Sequence, residues 1–340
     1  YQERAGQAEA WAKKYRITPA SSDTLSIYLL LVDIQNTFCI PGFELFVAGT
    51  TGTGAVDDSR RLAAFIYRNL GRLTEIIATF DTHQAIQIFH AIYLIDEEGK
   101  HPAPHTQVSA EDVLKGRWRF NPAVAHSLDI SPEYGQEQLT HYVQQLEARQ
   151  KYALTIWPYH SMLGGIGHAL VPTIEEAVFF HTIARSVQAE YIIKGANPFT
   201  ESYSAIGPEV LEDGAGKQLA RKNDQVIRLV EQFDAVLVAG QAKSHCVAWT
   251  VEDLLNEILL LEGFPLTSQI TYQEELLKNQ VYRVTAPDFC AHDLFVCLDE
   301  GIQPATVNLL KMEKEDIFIC LDSALSDELK AQVQDKFNVH

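Results

Sequence analysis

Basic residues are scarce in this sequence, and long apolar runs are missing from it. Lysine and arginine number 27 against 45 aspartates and glutamates, which gives a formal net charge of −18. A field of this sign repels phosphate backbones and anionic lipid headgroups. The longest apolar run lies near residues 25–32 and is too short to cross a bilayer. We therefore expect neither nucleic acid nor a membrane surface as a partner.

Cysteine is also rare, and the N-terminal stretch has no apolar core. The five cysteines are odd in number and irregularly spaced, which does not fit a disulfide framework. Residues 1–10 are polar and helix-prone, unlike a secretory signal. These features predict a cytoplasmic protein. A content of 46% hydrophobic and 21% charged residues is that of a folded chain rather than a disordered one.

Short apolar runs alternate with longer helical patterns along most of the chain. Because the runs are continuously apolar, we expect strands buried on both faces, as in a parallel sheet between helices. The alternation predicts an α/β fold with three α/β/α layers and a doubly wound, mostly parallel sheet. Strands are predicted at 25–33, 74–81, 153–157, 189–194, 234–239 and 281–285, and helices near 56–70, 137–150, 172–187, 217–231, 246–261 and 269–279.

The pattern weakens between residues 84 and 156. This stretch contains four prolines and is far longer than an ordinary loop, which indicates a functional insertion or a lid. We predict three segments: an N-terminal helical extension over 1–24, a main domain with this insertion over 25–300, and a C-terminal extension over 301–340.

Three reactive side chains stand at the ends of predicted strands or just beyond them. Asp33 ends the first strand, Lys194 ends another, and Cys246 begins a helix after the strand 234–239. Ligands of such folds bind beyond the carboxyl ends of the strands. We therefore predict that the three converge on one substrate, with Cys246 as nucleophile and Asp33 as base.

The position of Cys246 predicts an activated thiol. A helix N-terminus favours the thiolate and offers N–H groups to an oxyanion. A nearby Lys194 would lower the pKa of both Cys246 and Asp33. The alternatives are a carboxylate that only caps a turn and a cysteine that acts as a small buried hydrophobe, as we expect for Cys290, Cys297 and Cys320.

A second group of residues has the character of a metal site. Asp81 and His83 follow a predicted strand. Because side chains two residues apart in an extended chain point to the same side, both can bind one metal, and His160 can supply a third ligand. An Asp/His/His set with open positions suits Zn²⁺, Mn²⁺ or Fe²⁺. His90 is a further candidate ligand and His105 a weaker one, because twelve histidines make accidental proximity easy. The alternative interpretation of Asp81 and His83 is a surface turn.

These motifs together resemble the isochorismatase-like cysteine hydrolases, and among them the nicotinamidase branch. The matching segments occur in the order typical of that superfamily: 32–38 (VDIQNTF), 81–83 (DTH), 157–160 (WPYH), 194–204 and 239–247. The sequence departs from the pattern in three places. The insertion is much longer than usual, Ser161 replaces a cysteine found in many relatives, and the loop 195–201 is extended.

The resemblance implies roles for further residues. It implies an Asp33–Lys194–Cys246 triad and an oxyanion hole made by the amides of Ala242 and Cys246, with a cis peptide at Gln241–Ala242. It also implies that the metal binds the pyridine nitrogen of nicotinamide, and that the ring pocket is lined by Phe38, Trp157 and Tyr203.

The expected function is hydrolysis of a small-molecule amide, with nicotinamide as the leading substrate. Nicotinamide and water would give nicotinate and ammonia through a thioester on Cys246. Two alternatives stay open: hydrolysis of another small amide or a vinyl ether by the same superfamily, and a non-catalytic binding protein on this fold. The oligomeric state is also open, and a homo-oligomer is compatible with the sequence.

Overall fold

The computed structural model of the chain has a parallel sheet at the centre of its first 254 residues. It describes residues 1–149, 152–261, 264–265, 268–273, 279–297, 299, 301–313, 315–320, 325–326, 329 and 338–339. The chain divides into two compact units, Tyr1–Leu254 and Leu255–His340. No helix among the described residues is both long enough and apolar enough to cross a bilayer.

The first unit alternates strands and helices as the sequence pattern predicts. Its elements in chain order are α1 (Gln2–Tyr15), β1 (Ile27–Val32), α2 (Asn36–Cys39), α3 (Gly54–Arg68), β2 (Glu75–Asp81), β3 (Leu94–Ile95), β4 (Gln107–Val108), α4 (Ala110–Leu114), β5 (Arg119–Phe120), α5 (Pro132–Ala148), β6 (Leu154–Thr155), α6 (Pro172–Arg185), β7 (Glu190–Lys194), α7 (Asp224–Gln232), β8 (Ala235–Gly240) and α8 (Cys246–Leu261), whose last turns pass into the second unit.

The central sheet has the strand order β7-β2-β1-β8, and all of its pairings are parallel. Successive side chains of β1 point to opposite faces. Leu29 and Leu31 pack in a cluster with α1, α3 and α6, whereas Tyr28 and Leu30 pack with α7 and α8 on the other face. Burial on both faces explains why the strand is continuously apolar. The predicted three-layer α/β fold with a parallel sheet is confirmed.

Two predicted strands lie outside that sheet: 153–157, and 281–285, which belongs to the second unit. The run 153–157 forms only the two-residue strand β6, which pairs antiparallel with β4. Its apolar residues Leu154 and Ile156 are buried in a separate cluster. Any short buried element produces such an apolar run. Hydrophobic periodicity alone therefore did not distinguish a strand of the central sheet from a short strand of the insertion.

The segment 84–156 is more ordered than the sequence pattern indicated. It contains β3, β4, β5, α4 and α5, and it has a hydrophobic core of its own, which includes Phe89, Phe120 and Leu139. Ser131 caps α5 by accepting a hydrogen bond from the Tyr134 amide. The insertion is therefore a small packed subdomain and not an irregular loop.

The second unit contains a mixed five-stranded sheet with the order β13-β12-β11-β10-β9. Its elements are β9 (Gln269–Tyr272), β10 (Tyr282–Thr285), β11 (Leu294–Cys297), α9 (Pro304–Leu309), β12 (Ile317–Cys320) and β13 (Asn338–Val339). The helix predicted near 269–279 is wrong at its start, because β9 occupies 269–272 and pairs with β10. Residues 274–278 lie outside the described residues. The domain boundaries proposed near 24 and 300 stay predictions.

Candidate active site

Asp33, Lys194 and Cys246 lie together at the carboxyl edge of the central sheet. Asp33 follows the last residue of β1, Lys194 ends β7, and Cys246 begins α8 after the loop that leaves β8. Lys194 Nζ lies 2.9 Å from Asp33 Oδ2 and 3.6 Å from Cys246 Sγ. All three side chains are buried. The structure thus brings together the acid, the ammonium and the thiol that the sequence analysis grouped.

The strand order explains how Lys194 reaches Asp33. β2 lies between β7 and β1, and its last residue, Asp81, is in register with Lys194. Because neighbouring strands are about 4.8 Å apart, the long lysine side chain crosses β2 to reach Asp33. On the way Lys194 Nζ donates to Asp81 Oδ1 at 3.2 Å and to the Ser202 carbonyl at 2.8 Å. The ammonium is therefore held between two buried carboxylates.

Burial has the largest effect on the pKa values of Cys246 and Asp33. Burial raises the pKa of the Cys246 thiol well above its ordinary value, and the opposing effect of Lys194 is smaller. Burial likewise raises the pKa of Asp33, again against the Lys194 ammonium. Lys194 lowers both pKa values, as expected, but desolvation of the charged forms outweighs its effect, so the net shift of each pKa is upward. The thiol keeps its proton until a base accepts it.

The Asp33 carboxylate has a fixed orientation. Thr79 Oγ1 of β2 donates to Asp33 Oδ1 at 2.5 Å, and the Asp33 amide donates to the same hydroxyl at 3.1 Å. This leaves Oδ2 directed to the Lys194 ammonium. A charge-assisted hydrogen bond of this kind holds a carboxylate in one rotamer.

Asp81, His83 and His160 form a buried group that fits a divalent metal. Asp81 Oδ2 lies 2.7 Å from His83 Nε2 and 3.4 Å from His160 Nε2. One ligand atom from each residue lies within 4.8 Å of the others. The His83 and His160 Nδ1–H groups donate to the carbonyls of Gly195 (3.2 Å) and Pro158 (2.7 Å). Each Nε2 therefore presents its lone pair, which is how proteins orient metal-binding histidines.

His90 lies beside this group and not within it. Its ring centroid is 5.8 Å from that of His83, and its Nδ1–H donates to the Ala85 carbonyl at 3.2 Å. Burial, with smaller effects from His83 and His160, lowers the pKa of His90 to about 3, so the imidazole is neutral. Among the described residues its buried Nε2 has no hydrogen-bond partner. His90 thus stays a candidate ligand.

His105 does not join the metal group. Its ring packs edge-on against Trp157, with centroids 5.9 Å apart. The structure therefore gives this histidine a packing role at the pocket wall.

The thiol and the metal-binding group open into one cavity of about 260 Å³. The residues predicted to line a ring pocket, Phe38, Trp157 and Tyr203, all line this cavity. Phe38 and His160 meet edge to face, with centroids 5.8 Å apart. Aromatic walls with a few convergent polar groups are typical of sites for small planar ligands. The insertion contributes Phe89 to the same wall.

The loop before Cys246 is held tightly against β1. The Gln241 amide donates to the Val32 carbonyl at 2.9 Å, and the peptide bond between Gln241 and Ala242 is cis. Gly240 has a φ of 156°, and a Cβ there would lie 2.0 Å from the Val32 oxygen, so only glycine fits. The Ala242 carbonyl accepts the His245 amide at 3.0 Å. The Ala242 and Cys246 backbones therefore have fixed positions beside the sulfur.

Comparisons with known proteins agree with this geometry. The chain is 26% identical over 231 residues to the nicotinamidase of Escherichia coli (strain K12), a match that covers 67% of this chain and 76% of that protein. The chain is similar to nicotinamidases. The resemblance found in the motifs is thus confirmed, and the match supports an enzyme that hydrolyses amides. No protein-family profile matches the chain.

Solved nicotinamidase structures resemble the chain more distantly. A nicotinamidase/pyrazinamidase from Acinetobacter baumanii is 20% identical, with 69% of this chain and 80% of that one covered at a TM-score of 0.40. The yeast nicotinamidase bound to the inhibitor nicotinaldehyde is 17% identical, with 68% and 82% covered at a TM-score of 0.42. Because these scores are low, the fold assignment rests on the sheet of this chain itself.

Seven residues that line the cavity were given no role by the sequence analysis: Leu45, Val47, Phe89, Glu201, Ser202, Ser244 and His245. His245 directly precedes the predicted nucleophile, and Glu201 lies two residues before Tyr203, so proximity to a motif was a usable signal for both. Phe89 had no such signal, because its position depends on how the insertion packs.

Proposed function

We propose that the chain is a cysteine-dependent amidohydrolase that converts nicotinamide to nicotinate and ammonia. One observation carries the proposal: a buried ammonium, Lys194, lies within 3.6 Å of the Cys246 sulfur and 2.9 Å of the Asp33 carboxylate at the end of an aromatic cavity. A thiol, a base and a counter-charge are the parts that covalent amide hydrolysis requires. The similarity to a nicotinamidase of 26% identity supports the choice of substrate.

Acylation begins when Asp33 accepts the proton of the Cys246 thiol. The thiolate attacks the amide carbonyl carbon, and the amide N–H groups of Ala242 and Cys246 donate to the oxyanion that forms. Asp33 then returns the proton to the departing nitrogen, the C–N bond breaks, and ammonia leaves a thioester on Cys246. Lys194 balances the negative charge that moves between Asp33 and the sulfur.

Deacylation uses the same groups in reverse. Asp33 takes a proton from water, and the hydroxide attacks the thioester carbonyl. The second oxyanion accepts hydrogen bonds from the same two amide N–H groups. Collapse of this intermediate breaks the C–S bond, and Asp33 returns its proton to the sulfur as nicotinate leaves. Burial raises the pKa of Asp33, which makes its carboxylate a stronger base toward the thiol and toward water.

The residues at the far side of the cavity fit a divalent metal. Asp81, His83 and His160 would hold Zn²⁺, Mn²⁺ or Fe²⁺, since their donor set of one carboxylate and two imidazoles suits all three. A metal bound there would supply a Lewis acid for the pyridine nitrogen. Phe38, Trp157 and Tyr203 would orient the ring. Lys194 links this group to the thiol, because it contacts both Asp81 and Asp33.

The test measures release of ammonia and of nicotinate from nicotinamide. We expect turnover by the wild type and none by Cys246→Ala. The matched control is Cys297→Ala, which removes a buried thiol of the second unit and should leave turnover unchanged. Normal turnover by a folded Cys246→Ala protein would contradict the cysteine mechanism.

A panel of substrates separates the alternatives. Hydrolysis of other small amides with release of ammonia, but not of nicotinamide, would place the chain with a different amidase. Hydrolysis of a vinyl ether without ammonia would indicate the other reaction of the superfamily. A folded protein that turns over none of these substrates would favour a binding protein. The cytoplasmic location and a homo-oligomer stay predictions from the sequence.

A further inference from the structure

A buried carboxylate, Glu201, lies in the cavity wall and has no part in the steps above. Its side chain is only 3% exposed. Tyr203 donates its hydroxyl proton to Glu201 Oε1 at 2.8 Å, and Tyr142 donates to Glu201 Oε2 at 2.8 Å. Both carboxylate oxygens are thus engaged by phenol groups. A buried carboxylate needs such donors, because burial without them is strongly unfavourable.

The hydrogen bonds of Glu201 extend to the aromatic wall of the cavity. Trp157 Nε1 donates to the Tyr203 hydroxyl at 2.8 Å. The Tyr203 hydroxyl therefore accepts from the indole and donates to Glu201, which orients both rings. Hydrogen bonds in series polarise one another in a buried setting. Trp157 and Tyr203 are two of the residues that would hold the substrate ring.

The insertion holds Glu201 from the other side. Tyr142 belongs to α5, and its hydroxyl accepts the Glu201 amide at 3.1 Å while it donates to the Glu201 carboxylate. The Tyr142 side chain is buried in the core of the insertion. A single tyrosine of the insertion therefore clamps both the backbone and the side chain of Glu201.

We propose that Glu201 is a positioning residue that fixes Trp157 and Tyr203 in the wall of the substrate cavity and is itself held by Tyr142 of the insertion. The part that concerns substrate affinity rests on the proposed function. The insertion then acts as the support of the ring pocket.

The protonation of Glu201 changes what this anchor can do. Burial raises the pKa of Glu201 to about 7, and the hydroxyls of Tyr142 and Tyr203 oppose this increase. Above that pH the carboxylate accepts hydrogen bonds from both hydroxyls, whereas below it one oxygen carries a proton, becomes a donor and is a weaker acceptor. The titratable and polar groups that face Glu201 are Tyr142, Tyr152, Trp157, Tyr203 and Glu209.

The kinetic test compares KM with kcat. Loss of the anchor in Glu201→Ala should raise KM for nicotinamide on the order of tenfold and change kcat less than about threefold, because ring binding is lost and the thiol is untouched. Glu201→Gln keeps the shape and should recover much of the affinity. The wild-type KM should depend on pH near 7, and the KM of Glu201→Gln should lose this dependence.

The chain offers a matched control on the same helix. Tyr134 also lies on α5 and donates to a carboxylate, Asp213, at 2.9 Å, but neither residue lines the cavity. Tyr142→Phe should raise KM as Glu201→Ala does, whereas Tyr134→Phe and Asp213→Asn should leave it unchanged.

A second readout needs no turnover. In protein labelled with 5-fluorotryptophan, the Trp157 resonance is assigned with Trp157→Phe. We expect this resonance to shift or broaden in Glu201→Ala and Tyr142→Phe, and to stay in place in Tyr134→Phe. If Glu201→Ala does not fold, Tyr142→Phe provides the same comparison, with Tyr134→Phe as its control.

The two proposals fail in different ways. A wild type that does not hydrolyse nicotinamide refutes the proposed function, and the Trp157 resonance still decides the role of Glu201. A wild type that is active, with KM and the Trp157 resonance unchanged in Glu201→Ala and Tyr142→Phe, overturns the anchor and leaves the function intact.

Discussion

Replacing Lys194 by methionine tests the electrostatic design of the site most directly. The change removes the ammonium and keeps most of the length of the side chain. In the wild type the charge lies 2.9 Å from Asp33 Oδ2 and 3.2 Å from Asp81 Oδ1. Without it, two buried carboxylates lose a common partner. Breaking a buried ion pair from one side destabilises proteins by about 3–5 kcal/mol.

The effect on the reaction follows from the distance to the sulfur. At an effective dielectric constant of about 20, unit charges separated by the 3.6 Å between Lys194 Nζ and Cys246 Sγ attract by about 5 kcal/mol. This attraction exists only when the sulfur is negative, as in the attacking thiolate. Its loss should lower kcat/KM on the order of 10³-fold, since about 1.4 kcal/mol corresponds to a factor of ten.

The pH dependence of the variant has a definite sign. Burial already raises the pKa of Asp33 in the folded protein, and removal of the ammonium takes away the main opposing effect. A carboxyl with a raised folded pKa binds more protons folded than unfolded, so stability falls as the pH rises through that pKa. The Lys194→Met variant should therefore be more stable at pH 5 than at pH 8.

The assay combines urea unfolding at both pH values with the ammonia assay. Lys100→Met is the matched control, because Lys100 pairs with Glu98 at 2.6 Å on the exposed surface, and such pairs contribute about 0–1 kcal/mol. The double variant with Asp33→Asn removes the buried charge as well and should recover stability without activity. A Lys194→Met protein within about 1 kcal/mol of wild-type stability, and within tenfold of its activity, would refute the reasoning.

Further predictions concern single features of the site. Thr79→Val removes the hydroxyl that orients Asp33, so urea unfolding should show a loss of about 1–3 kcal/mol. His160→Ala removes one of the three candidate ligands, so native mass spectrometry should detect less bound zinc than in the wild type. Gly240→Ala should leave little folded protein, because its Cβ would meet the carbonyl of β1 at 2.0 Å. Without substrate, iodoacetamide should alkylate Cys246 slowly at neutral pH and faster as the pH rises, because burial raises the thiol pKa; fast alkylation at pH 6 would contradict this.

Much of the first unit was predictable from local sequence pattern. The runs that became β1, β2 and β8 are continuously apolar because each strand packs against helices on both faces. The edge strand β7 is apolar too, although its Tyr191 and Ile193 are exposed. Asp33 and Lys194 stand where such runs end, and Cys246 stands where a helix begins. Parallel strands bring these ends to one edge, so the grouping needed no knowledge of contacts.

Other features depended on packing that no local pattern records. The run at 153–157 looked like a core strand but packs in the insertion, because its burial comes from α5 and β4. The second unit was missed as a separate sheet, since β9 is short and exposed and its pairing with β10 is not visible in its own residues.

The amino-acid sequence alone was enough to predict the parallel α/β architecture and the set of reactive side chains. Local hydrophobic periodicity indicates which strands are buried and where they end. Tertiary packing was needed for the charge state of the thiol and for the role of Glu201. Both depend on how far a group is removed from water and on which hydrogen-bond donors surround it. Residues distant in the chain supply those donors: Lys194 for Cys246, and Tyr142 for Glu201.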